Sequence, residues 1–375
     1  MARTTLARVK RLVVKVGTGT LTDSKGRFDR ENCARLGREM AEIARGRKLV
    51  LVTSGAVALG AEQLGLVRTK GKPWDIPTKQ ACAAVGQPHL MAAWGGAFAP
   101  HGVKVAQVLL TADDLANRKR FLNARRTFER LLAAGVVPVV NENDTVAVDE
   151  IKVGDNDTLA GLVAACVEGR LVAMLTDVEG LYDRNPAEDG ARMFADVAKV
   201  TAEIERVAGG AGSLQSTGGM ATKIRAAKRL AAQGVVTALL SGRRKGALAA
   251  LLAGEKVGTV FAAEAEHLTS RKGWLAAAAR GKGTLLVDAG ARRALVEGGK
   301  SLLPSGVRSV EGSFGVGDPV DVAVDPSRPF ARGLAGYAAD EIRRIAGLKT
   351  SEIERTLGYK YLDEVVHRDD MVLLD

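Results

Sequence analysis

The stretch Val136-Val137-Pro138-Val139-Val140 runs directly into Asn141-Glu142-Asn143-Asp144, so an apolar segment is followed at once by four polar side chains. A short apolar run of this kind is typical of a buried strand in a parallel sheet. Ligands of α/β sheets bind in the crevice beyond the carboxyl ends of the strands. Amides and carboxylates there can hold a small ligand with an ammonium and a carboxylate, or a metal–phosphate group. The alternative is an ordinary turn, because Asn and Asp are common turn residues.

Alternating strand and helix patterns fill the first two-thirds of the chain. Short apolar runs alternate with longer segments in which apolar residues recur at helical spacing. This rhythm predicts an α/β fold with helices on both faces of a mainly parallel sheet, a three-layer sandwich. The predicted strands are residues 11–16, 48–53, 103–110, 136–140, 171–175 and 235–240, and the predicted helices are residues 30–45, 56–64, 78–98, 121–134, 158–167 and 220–233.

A different pattern follows residue 280. Short β runs at 283–288 and 318–324 are separated by turns that carry Gly and Pro, and a helix is predicted at 351–357. We therefore predict an α/β domain over residues 1–260, a linker over residues 261–280 and a small β-rich barrel domain over residues 281–375.

Composition indicates an ordinary globular protein, with 375 residues, 46% hydrophobic and 26% charged. The net charge is +11, but residues 281–375 hold 13 Lys and Arg against 15 Asp and Glu, so the basic excess lies in the first 280 residues. That distribution suits anionic small substrates at least as well as a polynucleotide. The three cysteines are far apart and in apolar stretches, as free thiols of a reducing compartment would be. No apolar stretch is long enough to span a membrane, and we expect a cytoplasmic protein.

Two lysines stand beside glycines at predicted strand and helix ends. Lys15-Val16-Gly17-Thr18-Gly19 offers an ammonium group and backbone N–H groups to an anion, although a structural turn is the alternative. Thr217-Gly218-Gly219-Met220-Ala221-Thr222-Lys223 opens a helix. Lysine is unfavourable in a first helical turn, and contact with a phosphate would explain it. Neither segment fits a dinucleotide fingerprint or a P-loop.

Two further strand ends carry polar residues. Ser54-Gly55 precedes a helix, where it can bind an anion or simply cap the helix. Thr176-Asp177 follows the strand 171–175, and an ordinary loop explains it equally well. His367-Arg368-Asp369 resembles a protein-kinase catalytic loop, but the partner motifs of such kinases are missing. Two lysines, Gly-rich turns and an acidic loop together favour phosphoryl transfer, which depends on positioning and charge neutralisation.

These residues together resemble the amino acid kinase family. The polar segments from 141 to 157 are similar to those of the members that phosphorylate L-glutamate, and the C-terminal region is similar to a PUA domain. The resemblance covers nearly the whole chain. The matching stretches are residues 13–18, 52–56, 121–125, 141–145, 151–157, 175–177, 217–223, 301–304, 343–347 and 367–371.

The resemblance implies that ATP, with Mg²⁺, phosphorylates the γ-carboxylate of L-glutamate to L-glutamyl 5-phosphate, the first step of proline biosynthesis from glutamate. It implies that Lys15 and Lys223 stabilise the transferring phosphoryl group while Asp157 organises them. The expected glutamate-binding residues are Ser54, Asp144 and Asn156. The expected ATP-binding residues are Lys15, Thr176, Asp177, Thr217, Gly218, Gly219, Met220, Ala221, Thr222 and Lys223. No protein residue is assigned as a metal ligand, because the nucleotide phosphates would provide most of the Mg²⁺ ligands.

The resemblance also implies partners. We expect inhibition by proline, a homo-oligomer (dimer or tetramer), and transfer of the labile product to glutamate-5-semialdehyde dehydrogenase. Two alternatives stay open: an RNA-binding role of the C-terminal domain, and a kinase acting on aspartate or acetylglutamate. The acidic balance and few aromatic residues of the C-terminal domain argue against strong RNA binding.

Overall fold

The computed structural model describes residues 3–23, 26–67, 74–147, 156–208, 219–264, 270–277 and 279–374. The chain forms two compact units, one of residues 1–115 and 119–267 and the other of residues 116–118 and 268–375. Among the described residues, no helix is both long and apolar enough to cross a membrane.

The first unit is built on an eight-stranded sheet in the order β3-β4-β2-β1-β5-β7-β8-β6. All neighbouring strands are parallel except β7 and β8, which are antiparallel. The order reverses between β1 and β5, and ligands of such sheets bind at that reversal. The strands are β1 (Arg11–Val16), β2 (Lys48–Thr53), β3 (Val105–Leu110), β4 (Val137–Glu142), β5 (Leu171–Thr176), β6 (Asp196–Val197), β7 (Val236–Ser241) and β8 (Thr259–Phe261).

Helices cover both faces of this sheet, which confirms the predicted α/β class. On one face α2, α4 and α10 share a core with alternate residues of β1, and on the other face α7 packs against β1 and α9 against β7. The helices are α1 (Thr18–Leu21), α2 (Arg30–Ala44), α3 (Ala56–Gln63), α4 (Ile76–Phe98), α5 (Ala112–Ala116), α6 (Arg118–Ala133), α7 (Asn156–Val167), α8 (Ala202–Ala208), α9 (Met220–Ala232) and α10 (Ala247–Leu252). Two 3-10 helices span Arg3–Arg8 and Ala99–His101.

Several predicted boundaries differ from the observed ones. The most important is α7, which begins at Asn156 rather than at Thr158, so Asn156 and Asp157 lie in a helical first turn and not in a loop. An acidic residue is favourable in that turn because it faces the positive end of the helix dipole. The short elements α1, α8 and β6 were not predicted, because two to seven residues carry too little periodicity.

The second unit contains a five-stranded sheet in the order β10-β9-β11-β12-β13, with β9 and β11 parallel and the other pairs antiparallel. Its strands are β9 (Gly283–Val287), β10 (Val307–Gly312), β11 (Pro319–Ala323), β12 (Pro329–Leu334) and β13 (Met371–Leu373). Its helices are α11 (Ser270–Ala277), α12 (Ala289–Val296), α13 (Ala339–Ile345) and α14 (Ile353–Leu357), with 3-10 helices at Pro304–Gly306, Thr350–Glu352 and Arg368–Asp370. Helix α11 lies within the stretch that we expected to be a linker.

A close helix crossing fixes α3 against α4. A Cβ atom on Gly86 would lie 1.8 Å from the carbonyl oxygen of Ala56, and one on Gly60 would lie 1.7 Å from that of Cys82. Real carbon atoms cannot approach an oxygen so closely, so both positions need glycine. This contact holds α3, which begins two residues after Ser54, at a fixed distance from α4.

Replacing Gly86 by alanine is expected to destabilise the first unit by about 3 kcal/mol, because the two helices must separate. Gly96 is a matched control: it lies in the same helix, and a Cβ there meets no atom within 4 Å. Gly96→Ala is expected to stabilise the protein by up to about 1 kcal/mol through helix propensity. Urea denaturation of both variants checks this, and equal stabilities would contradict the packing argument.

Candidate active site

Asp157 lies between two lysines at the reversal point of the large sheet. Lys15 Nζ is 2.6 Å from Asp157 Oδ1, and Lys223 Nζ is 3.1 Å from Asp157 Oδ2. The Asp157 side chain is fully buried, and the side chains of Lys15 and Lys223 are 5% and 10% exposed. The structure therefore brings together three residues that are distant in sequence and that were all predicted to belong to the site.

Three elements position these charges. Lys15 occupies the next-to-last position of β1, and side-chain alternation places it on the opposite face from Val14 and Val16. Asp157 is in the first turn of α7, which packs on that opposite face. Lys223 is in the first turn of α9. Its charge is unfavourable to the helix dipole there, and the buried carboxylate compensates for it.

Opposing effects act on the pKa of Asp157. Burial raises the pKa, while the charges of Lys15 and Lys223 and their hydrogen bonds lower it, and the lysines prevail so that the pKa lies below its ordinary value. Asp157 therefore stays ionised at neutral pH. Lys15 and Lys223 contribute two positive charges to the cluster and Asp157 contributes one negative charge, a composition that is suited to binding an anion.

A second cluster, made of amides and a hydroxyl, adjoins the first. Asn156 Nδ2 donates to Ser54 Oγ at 2.7 Å, to the Thr53 carbonyl at 3.1 Å and to Asn141 Oδ1 at 3.3 Å. Asn141 Nδ2 in turn donates to Gln87 Oε1 at 2.9 Å. Because Asn156 and Asp157 are neighbours in sequence, the start of α7 joins the amide cluster to the charged one.

Two members of the amide cluster were not predicted as site residues. Asn141 is the next-to-last residue of β4 but was given no role, and Gln87 lies within an Ala-rich helix. The only sequence signal for Gln87 is its spacing. This polar residue lies four positions after Ala83 and three before Leu90, and therefore on a buried side of α4. Residues of that kind need a partner, because burying an unpaired amide is costly.

Asp144 lies in the turn after β4, and burial raises its pKa to about 6. Within the described part of the chain, it forms no hydrogen bond with Ser54 or Asn156. Thr176 ends β5, and its Oγ1 accepts a hydrogen bond from the Val178 N–H. Asp177 lies beside Gly19 of α1, in the first Gly-rich segment, since a Cβ on Gly19 would be 3.5 Å from Asp177 Oδ2.

The second Gly-rich segment is only partly described. Gly219 precedes α9, and Met220, Ala221 and Thr222 form its first turn. Thr222 Oγ1 lies 3.2 Å from Asp157 Oδ2, so this turn is tied to the charged cluster. Thr217 and Gly218 lie outside the described residues, and so does the segment 151–155.

Asp157→Asn is expected to destabilise the protein by about 3 kcal/mol at pH 7, because two buried ammonium groups lose their counterion. The control Glu205→Gln breaks the surface pair with Lys228 and is expected to cost less than about 1 kcal/mol. Denaturant unfolding at several pH values provides the measurement. A carboxyl group whose pKa is lowered by folding stabilises the folded state at pH values above its ordinary pKa of 3.8. The difference in unfolding free energy between wild type and Asp157→Asn should therefore persist from pH 8 to 5 and shrink below pH 4. A constant difference down to pH 2 would contradict this.

Comparisons with known proteins identify the family to which the chain belongs. The amino acid kinase family model matches residues 10–240, and the PUA domain model matches residues 283–357. Three similar proteins are each named glutamate 5-kinase. The Anaeromyxobacter dehalogenans protein is 79% identical, and the match covers 100% of this chain and 99% of that protein. The Myxococcus xanthus protein is 55% identical, with 99% of this chain and 98% of that protein covered. The Syntrophotalea carbinolica protein is 52% identical, with 100% of both chains covered. The chain belongs to the amino acid kinase family and carries a C-terminal PUA domain.

Proposed function

We propose that this protein transfers the γ-phosphoryl group of ATP to the γ-carboxylate of L-glutamate, giving ADP and L-glutamyl 5-phosphate. This is the first step of proline biosynthesis from glutamate. The observation that carries the proposal is the buried Lys15–Asp157–Lys223 cluster next to the Ser54–Asn156 amide cluster. Relatives that match the whole chain and are named glutamate 5-kinase support the choice of substrate.

The chemistry needs cations rather than a base. The attacking group is the glutamate γ-carboxylate, which is ionised at neutral pH and has no proton to lose. One of its oxygens forms a bond to the γ-phosphorus as the bond from that phosphorus to the β–γ bridging oxygen breaks, and ADP takes the electron pair. Negative charge spreads over the phosphoryl oxygens meanwhile. An ammonium group has three N–H donors, so Lys15 and Lys223 can donate to those oxygens while paired with Asp157.

The amide cluster suits the other end of glutamate. Ser54 Oγ accepts from Asn156, so its own proton is available for a substrate carboxylate. Asn156 Oδ1 is buried and has no hydrogen-bond partner in the described structure, and it can accept from the substrate ammonium. The Asp144 carboxylate adds negative charge for the same ammonium. Thr176, Asp177 and the segment 217–223 complete the proposal as the ATP-binding side.

Mg²⁺ would enter with the nucleotide. The described residues contain no group of three or more His, Cys, Asp or Glu placed to hold a metal ion. We propose that phosphate oxygens and water would hold most of the coordination sphere, as is usual for Mg²⁺ in kinases. When bound, Mg²⁺ would neutralise part of the charge on the β- and γ-phosphates.

The same proposal covers regulation and organisation. Proline carries a cationic amine and a carboxylate, as glutamate does, so it would inhibit by occupying the amide cluster. We further propose a cytoplasmic homo-oligomer (dimer or tetramer) that passes its product to glutamate-5-semialdehyde dehydrogenase and binds RNA weakly at most. Its α/β domain would extend over residues 1–260, with residues 261–280 leading to the PUA domain.

The first test is production of an acyl phosphate from ATP–Mg²⁺ and L-glutamate, trapped by hydroxylamine as a hydroxamate. Glutamate-dependent hydroxamate that matches ADP release is expected, and proline is expected to reduce both. L-Aspartate and N-acetyl-L-glutamate serve as alternative acceptors. Hydroxamate with one of these and none with glutamate would contradict the substrate assignment.

Lys15→Ala and Lys223→Ala are each expected to lower kcat about 100-fold or more, because a cation that stabilises the transferred group is lost. Lys228→Ala is the matched control for the second variant. It removes a lysine from the same helix, but one whose ammonium pairs with Glu205 at the surface. Its kcat should stay within twofold of wild type. Thermal melting of all three variants separates loss of chemistry from loss of fold, and near-normal kcat in folded Lys15→Ala and Lys223→Ala would exclude the mechanism.

The affinity for glutamate should depend on the ionisation of Asp144. Burial raises the pKa of Asp144 to about 6, so its carboxylate is lost as the pH falls through that value. At pH 5 about a tenth of the molecules would be ionised there, and kcat/KM for glutamate should be about tenfold lower than at pH 7.5. Asp144→Asn should lower kcat/KM at pH 7.5 and remove this step, while KM for ATP stays constant. If kcat/KM for glutamate fell in the same way between pH 7.5 and pH 5 in Asp144→Asn, the titration would belong to another group.

A further inference from the structure

We propose that Gln87 is a positioning residue for glutamate: acting through Asn141, it holds the Asn156 amide in its substrate-binding orientation. The inference rests on the proposed function, because it adds a residue to the same site. Gln87 is 8% exposed and lies on α4, an element that supplies none of the proposed binding residues.

The hydrogen bonds run from Asn156 through Asn141 to Gln87, and each residue donates to the next. Gln87 Oε1 accepts from Asn141 Nδ2, and Asn141 Oδ1 accepts from Asn156 Nδ2. Asn141 is only 1% exposed, so water does not compete for its amide. Because its NH₂ group is directed to Gln87, its carbonyl oxygen is directed to Asn156.

An amide needs such a constraint. The oxygen and nitrogen of an Asn side chain are nearly equal in size, and a half-turn exchanges an acceptor for a donor. With Asn156 as observed, its NH₂ group is directed to Ser54, Thr53 and Asn141, and Oδ1 is left for a ligand. A half-turn would present a donor to the substrate ammonium instead. Asn141 opposes that half-turn because it offers Asn156 an acceptor.

The surroundings of Gln87 show that its polarity is not explained by packing. Ala83, Leu90 and Trp94 lie on the same side of α4, four residues before it and three and seven after it, and all are buried. An apolar side chain of similar size would fill this position without burying an amide. Moreover, Gln87 Nε2 is buried with no hydrogen-bond partner in the described structure, so half of this amide is buried at a cost in free energy. The paired half is the oxygen that contacts Asn141.

The test compares Gln87→Met, which keeps the length of the side chain and removes the acceptor, with Asn141→Leu and the double variant. KM for glutamate is expected to rise at least tenfold in Gln87→Met, with kcat within threefold and KM for ATP within twofold of wild type. If Gln87 acts through Asn141, the double variant should have the KM of Asn141→Leu within twofold. A KM for glutamate within twofold of wild type in Gln87→Met, or multiplicative effects in the double variant, would overturn the proposal.

Two controls sharpen the result. Gln233→Met removes a glutamine with the same 8% exposure from a place outside the amide cluster, and it should leave KM for glutamate unchanged. Gln87→Glu keeps an oxygen for Asn141, so its KM should stay within fivefold of wild type. A tenfold or larger rise in folded Gln87→Glu contradicts the proposal even if Gln87→Met does not fold. Wild-type enzyme inactive with glutamate would refute the proposed function instead, whereas an unchanged KM in an active variant refutes only this inference.

Discussion

The buried carboxylate of Asp157, held between two ammonium groups, is the interaction on which the rest of the site depends. Removing an ion from water costs several kcal/mol, so none of the three charges could be buried alone. Their mutual pairing requires β1, α7 and α9 to be in place together, which links the chemistry to the completed sheet. Lys15 and Lys223 contribute two positive charges to this pairing and Asp157 contributes one negative charge. In the proposed function these charges would bind an incoming phosphoryl group, so the stability of the fold and the affinity for the ligand would have the same source.

The first turn of α7 sets the distance between the two halves of the site. Asn156 belongs to the neutral cluster with Ser54, and Asp157 belongs to the charged cluster with Lys15 and Lys223. Adjacent residues of a helix cannot change their separation, so a ligand held by one cluster is at a fixed distance from the other. Proximity of this kind accounts for a large part of the acceleration in reactions between two bound substrates.

Much of this arrangement could be predicted from sequence. The strand and helix periods predicted the parallel sheet, and the rule for strand ends led to Lys15 and Asp144. The pairing of Lys223 with Asp157 could not be derived from the sequence pattern, because a lysine in a first helical turn suits a phosphate or a carboxylate equally well. Gln87 could not be found either. Its proposed role depends on a partner 54 residues away, and no local pattern records such a contact.

The proposed reaction explains why the described site consists of lysines, amides and carboxylates. A nucleophile such as a hydroxyl must lose a proton, and sites for that chemistry place a base beside it. A carboxylate has no proton to lose, and Asp157 with its lowered pKa and two lysine partners is a poor base. What the carboxylate needs is release from its hydration and a fixed direction of attack. In the proposed function the buried amides would provide both, since they replace water with donors and acceptors whose orientation is fixed by neighbouring hydrogen bonds. The orientation of each amide then becomes part of the chemistry, and residues that fix it, although distant from the phosphoryl group, influence how well glutamate is aligned.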